Sequence, residues 1–141
     1  MEGQFAAIAP PDLKDRISFQ VHDFFTPQPV AADVYFMRWI LHDWSDKYAI
    51  RIIRNIVPAM KPGSRIVIME TVLQPPGKLS FIGERMATSS DLQMMVACMS
   101  RERTADDWKQ LVGQAESRLR FVDVVQPAGS TLGAVEFILD E

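Results

Sequence analysis

Trp39-Ile40-Leu41-His42-Asp43-Trp44-Ser45-Asp46 lies between two apolar runs. The run before it, Val34-Tyr35-Phe36-Met37, has the β-branched and aromatic content of a buried strand, and Ala32 to Arg38 is read as that strand. The run after it, Arg65-Ile66-Val67-Ile68-Met69, closes on Glu70 and reads the same way. Between them Ser45 or Asp43 can cap a helix that carries Asp46 in its first turn, with Ile50, Ile53, Val57 and Met60 at helical spacing. Pro58 cannot donate to a helical ladder, so the regular helix is expected to end near Val57, and Pro62-Gly63 turns the chain into the next strand. Strand, helix, strand is the unit of an α/β sheet, and in open α/β sheets ligands collect beyond the carboxyl ends of the strands.

Upstream, Ile17-Ser18-Phe19-Gln20-Val21 alternates apolar and polar residues and predicts a further strand ending at His22-Asp23-Phe24-Phe25. Thr26-Pro27-Gln28-Pro29 then interrupts the backbone. Met1 to Pro11 has no periodicity. Downstream, Gln74 to Lys78 reads as a loop and Phe81 to Met99 as a helix, methionine-rich on its later turns. Thr104 can cap a second helix running through Trp108, Leu111, Val112 and Ala115, with Asp107 at the third position, where a capping box prefers Glu. Arg120 to Val125 and Leu132 to Leu139 read as two strands joined across Pro127-Ala128-Gly129-Ser130. The predicted order is β, β, α, β, α, α, β, β, an α/β domain over residues 1–141 that ends in an antiparallel pair.

Composition removes several function classes. Eighteen acidic against fifteen basic side chains give a net charge of −3, and no basic block tracks a phosphate backbone, so no nucleic acid partner is expected. No uncharged apolar run approaches the roughly 20 residues that span a bilayer, so no membrane partner is expected either. One cysteine, Cys98, excludes an internal disulfide and suits a reducing compartment; a soluble, cytoplasmic protein is the default. Two histidines and one cysteine, far apart in the chain, do not make a zinc site.

Asp23, Arg38 and Glu70 each end an apolar run, so parallel strands would deliver all three charges to one rim beside His42. Taken singly, each has a plainer reading. Strands end in polar residues where they reach water, His42 can be a helix-flanking histidine held by carboxylates, and Asp43 and Ser45 can be caps. Glu102 can be a solvated charge, and Cys98, Met94, Met95 and Met99 can be packing residues on one helix.

The run Ala32 to Asp46 resembles the signature of plant and fungal S-adenosylmethionine-dependent O-methyltransferases, of the caffeic-acid and sterigmatocystin types. Arg65-Ile66-Val67-Ile68-Met69-Glu70 and Arg101-Glu102-Arg103-Thr104 are similar to the family's next two motifs, in order and at the usual separations, and the similarity extends from about Leu13 onward. The resemblance implies a partial Rossmann-like methyltransferase sheet lacking its first two strands. It implies S-adenosylmethionine and no metal, and a small hydroxylated aromatic or polyketide-like acceptor. Carried over by position, His42 is the general base, with Glu70 and Glu102 flanking its imidazole. Asp23 and Phe24 fall at the adenine, Arg38 near the cofactor's polar end, and Asp43 beside the acceptor, with Met86, Met94, Met95 and Met99 available to an apolar slot.

The chain also departs from that family. Members are more than twice as long and homodimeric, through a helical region that precedes a glycine-rich cofactor loop. The seven glycines here form no G-x-G cluster, and Ala97 stands where many plant relatives place Asn. The expectation is the C-terminal catalytic portion of a methyltransferase; the alternative is a non-catalytic fragment that acts as a binding or scaffolding module.

Overall fold

A computed structural model describes residues 16–127, 130 and 132–141. The opening Met1 to Pro11 and the Ala128-Gly129 part of the last turn lie outside them. A four-stranded sheet runs in the order β1 (Val34–Arg38), β2 (Arg65–Glu70), β6 (Gly133–Leu139), β5 (Leu119–Val125). β1 and β2 are parallel, in register from Val34↔Arg65 to Arg38↔Met69, and β6 is antiparallel to both β2 and β5. Helix α1 (Asp46–Ile56) makes the crossover between β1 and β2, and Pro58 ends it in a 3-10 turn, Val57–Ala59. Gly63, at φ +88°, turns the chain into β2.

The core is set by periodicity. Ala49, Ile52, Ile53 and Ile56 of α1 are buried, as are Trp108, Leu111 and Val112 of α3 (Ala105–Ala115), which packs against α1. Along β2 every second side chain turns inward, so Glu70 falls in phase with Ile66 and Ile68. A carboxylate is thereby carried onto the core face. Tyr35 is the inward residue of β1, and its hydroxyl bonds the Ala32 amide and the Val30 and Ala59 carbonyls. Among the described residues, no helix is long and apolar enough to cross a membrane.

Two expectations need correction, and one strand pair was not expected. Residues 17–21 form no strand, and Val21 is fully exposed. Alternation makes a strand only where a ladder partner exists, and among the described residues the outer edge of β1 pairs with nothing. A short parallel pair, β3 (Val72–Leu73) with β4 (Arg103–Thr104), was not expected, because two residues carry no readable period. Helix α2 (Phe81–Cys98) forms as expected, but none of its residues is buried, so Met94, Met95 and Cys98 do not serve as core, and Met99 just past its end is exposed. Its apolar residues are spread around the axis rather than gathered in one stripe.

Candidate active site

The site begins where β1 ends. Trp39 adopts φ +52°, a left-handed conformation that costs a non-glycine residue on the order of 1 kcal/mol. The twist swings the next three amides toward β2. Ile40 N and Leu41 N donate to Glu70 Oε1 at 3.1 and 2.8 Å, and His42 N donates to Oε2 at 3.1 Å. Successive amides closing on one anion form a nest. Glu70 is completely buried, and its burial pushes the carboxyl up, while His42 and the three amides oppose that push.

The nest orients the His42 ring, which sits in the 3-10 turn Leu41–Asp43. Its Nδ1 lies 3.2 Å from Glu102 Oε1 and 3.7 Å from Glu70 Oε2. Ionised carboxylates accept and cannot donate, so the ring proton belongs on Nδ1 and the lone pair on Nε2. Nε2 is 3.6 Å from Oδ1 of the more exposed Asp43. The hydrogen bond to Glu102 raises the His42 pKa above 6.5, against burial, and the charges of Glu70, Glu102 and Asp43 add to the rise. Burial pushes Glu102 up in turn, but hydrogen bonds from His42 and Ser90 outweigh it and hold this carboxyl below its ordinary range.

Glu102 precedes β4, and the next residue anchors the whole loop. Arg103 is fully buried, donates to the Leu41 and Trp44 carbonyls at 3.1 and 2.9 Å, and pairs with Asp46 at 2.8 Å. Its guanidinium lies 4.9 Å from the centre of the Trp108 ring. Thr104 and Asp107 then form a full capping box, Asp serving where Glu was the expected partner.

His42 opens onto a cavity of about 410 Å³ lined by Trp39, Val72, Leu79, Met86, Ala87 and Leu132, with Thr71, Ser90 and Gln126 as polar groups. Asp43 and Met94 are not among its lining residues. Asp43 instead accepts from the Cys98 thiol at 3.5 Å, and Met94 lies half-buried on α2. The remaining predicted residues, Asp23, Phe24 and Arg38, do not line this cavity, and no strand carries Asp23 to it. Asp23 is exposed in a turn, accepting from Phe25 N at 2.9 Å, and Phe24 packs edge-on against Trp44. Arg38 is exposed, stacked 4.8 Å over Trp39. His42, Glu70 and Glu102 offer ligand-type atoms within 4.8 Å of one another. Both Glu70 oxygens already accept amide protons and Nδ1 faces Glu102, a donor set arranged around a proton.

Residues 4–117 match the model of the O-methyltransferase domain family. The chain belongs to that family. It is 48% identical over 136 residues to the O-methyltransferase pgmB of Aspergillus terreus, covering 95% of this chain and 38% of that protein. It is 44% identical over 129 residues to the grayanic acid biosynthesis cluster O-methyltransferase of Cladonia grayi, covering 92% and 29%. This O-methyltransferase-family chain therefore spans about a third of the length of the curated relatives it matches. Among solved structures, TnmH superposes with a TM-score of 0.84 at 28% identity, covering 99% of this chain and 40% of that one. LepI in complex with S-adenosylmethionine superposes at 0.72 with 37% identity, covering 84% and 29%. The sheet and its C-terminal hairpin are thus part of a Rossmann-like methyltransferase fold, as expected.

Sequence reasoning gave no role to Ser90, Asp91, Arg103 or Gln126. Arg103 stands inside a quoted motif, and its full burial is what marks it. Ser90 and Asp91 are ordinary helix residues until the fold brings Glu102 against them.

Proposed function

We propose that this protein transfers a methyl group from S-adenosylmethionine to a phenolic hydroxyl of a small aromatic or polyketide-like secondary metabolite, with His42 as general base. The observation that carries this reading is an imidazole braced on Nδ1 by two buried carboxylates and opening onto a largely apolar cavity. A phenol of pKa about 10 facing an imidazole of about 6.5 makes proton transfer uphill by roughly 5 kcal/mol. Glu102 and Glu70 stabilise the imidazolium and narrow that gap. They also fix the tautomer that leaves Nε2 free to accept the proton. Asp43 stands beside Nε2, where an acceptor hydroxyl would lie, and Met86 lines the cavity that would take the aromatic body.

The cofactor supplies a methyl group already activated on a sulfonium. The residues here suit its two ends. The exposed Asp23 carboxylate beside the Phe24 ring suits an amino-purine, and the exposed Arg38 guanidinium suits a carboxylate. A second reading is a binding or scaffolding module without turnover. A cytoplasmic location fits the single cysteine of either.

Transfer of labelled methyl from S-adenosylmethionine to a panel of phenols tests the first reading. His42→Gln should lower transfer about 10²-fold or more. Transfer by the variant at the wild-type rate overturns His42 as base. Calorimetric titration with S-adenosylmethionine separates the second reading: a Kd below roughly 100 μM, about −5.5 kcal/mol, counts against a scaffold.

A further inference from the structure

Helix α2 grips Glu102 at both ends through two consecutive residues. Asp91 Oδ1 accepts from the Glu102 backbone amide at 2.9 Å, and the Ser90 hydroxyl donates to Glu102 Oε1 at 2.6 Å. That oxygen is the one His42 Nδ1 approaches at 3.2 Å. The serine contact is the shorter, and the two donors share one acceptor. Glu102 is 2% exposed, so water cannot replace either of them readily.

We propose that Ser90 is a positioning residue: with Asp91 holding the Glu102 backbone, its hydroxyl takes up part of the negative charge that the Glu102 carboxylate presents to His42. Ser90 also lines the cavity onto which His42 opens, so a bound acceptor touches the group that sets the strength of the base. The bearing on catalysis rests on His42 being the base, whereas the contact itself is measurable without turnover. Other groups acting on the ring are Glu70 from β2 and Asp43 from the ring's own turn, while the Cys98 thiol on α2 acts only through Asp43. Thr71 adds to the hold on Glu102. The charge of Arg103 is directed at Asp46 and two carbonyls rather than at the ring.

The test is an NMR titration of His42 in the protein without acceptor, where His22 is the one other imidazole. With Ser90→Ala, Asp91 keeps Glu102 in place and the carboxylate turns its full charge on the imidazole. The His42 midpoint should rise by about half a pH unit. Ser90→Thr, which restores the hydroxyl, should return it to the wild-type value. A midpoint in Ser90→Ala that is unchanged or lower overturns the proposal, as does a threonine variant that moves as far as the alanine one. Methyl transfer that survived loss of His42 would sink the proposed function and leave this titration unaffected.

Discussion

His42 and Glu102 stand 60 positions apart in the chain, and their Nδ1 and Oε1 atoms are 3.2 Å apart. The contact joins the turn after β1 to the segment before β4, and both partners are buried. Glu102→Gln keeps the shape and removes the charge. The His42 titration midpoint should fall, because its largest stabilising partner is lost, and methyl transfer should drop about 10²-fold. Side-chain NMR and the label-transfer assay read the two effects separately.

Arg103 satisfies the loop that carries His42. Arg103→Met would take one donor from each of the Leu41 and Trp44 carbonyls, which keep Trp44 N and Ser100 Oγ, and would leave Asp46 with Arg101 as its cation. A loss of about 1–3 kcal/mol in denaturant unfolding is expected. Arg103→Lys should recover little of it, since a single ammonium cannot reproduce a fork that reaches three acceptors. Asp46→Asn should cost at most about 1 kcal/mol, because Asp46 is half exposed and screened by solvent.

Glu70 is the anion around which residues 40–42 are wrapped. In Glu70→Gln one carboxylate oxygen becomes an NH₂ facing a backbone N–H, so donor meets donor. A cost of about 1–3 kcal/mol is expected. Proteolysis should become faster within residues 39–44, because the strained φ of Trp39 is then held by fewer amides. An unchanged unfolding midpoint would show that the nest contributes nothing.

Stability should fall on both sides of weakly acidic pH. His42 has a folded pKa raised above 6.5, so its contribution is complete below 6.5 and is lost as pH rises through the folded value. Glu70, raised above 4.5, also loses stability as pH rises. Glu102 is lowered from 4.5, so its contribution is present above 4.5 and is lost as pH falls through the folded value. Thermal unfolding as a function of pH checks this, and His42→Gln should flatten the alkaline side.

Much of this was legible in the sequence for definite reasons. The periods of β2, α1 and α3 are strong and local, and Pro58 and Thr104 mark their boundaries. Glu70 was placed by its position at the end of β2 and by the family resemblance, and the structure adds that it falls in phase with Ile66 and Ile68. Residues 17–21 have an equally clean period, but a period does not name the neighbour a strand needs. The nest, the Arg103 anchor and the Ser90-Asp91 grip depend on contacts across the fold, with separations from 11 to 62 positions, and no local pattern reports them. The cavity lining mixes β3, α2 and the segment around Leu132, so of its residues only Met86 was given a site role beforehand besides the histidine.

The most direct measurement is the tautomer of neutral His42, read from the nitrogen shifts and long-range proton–nitrogen couplings of the labelled ring above its titration midpoint. A proton on Nδ1, directed at Glu102, with an unprotonated Nε2 is the expected result. A neutral ring protonated on Nε2 would contradict it, since that nitrogen could no longer take hydrogen from an acceptor.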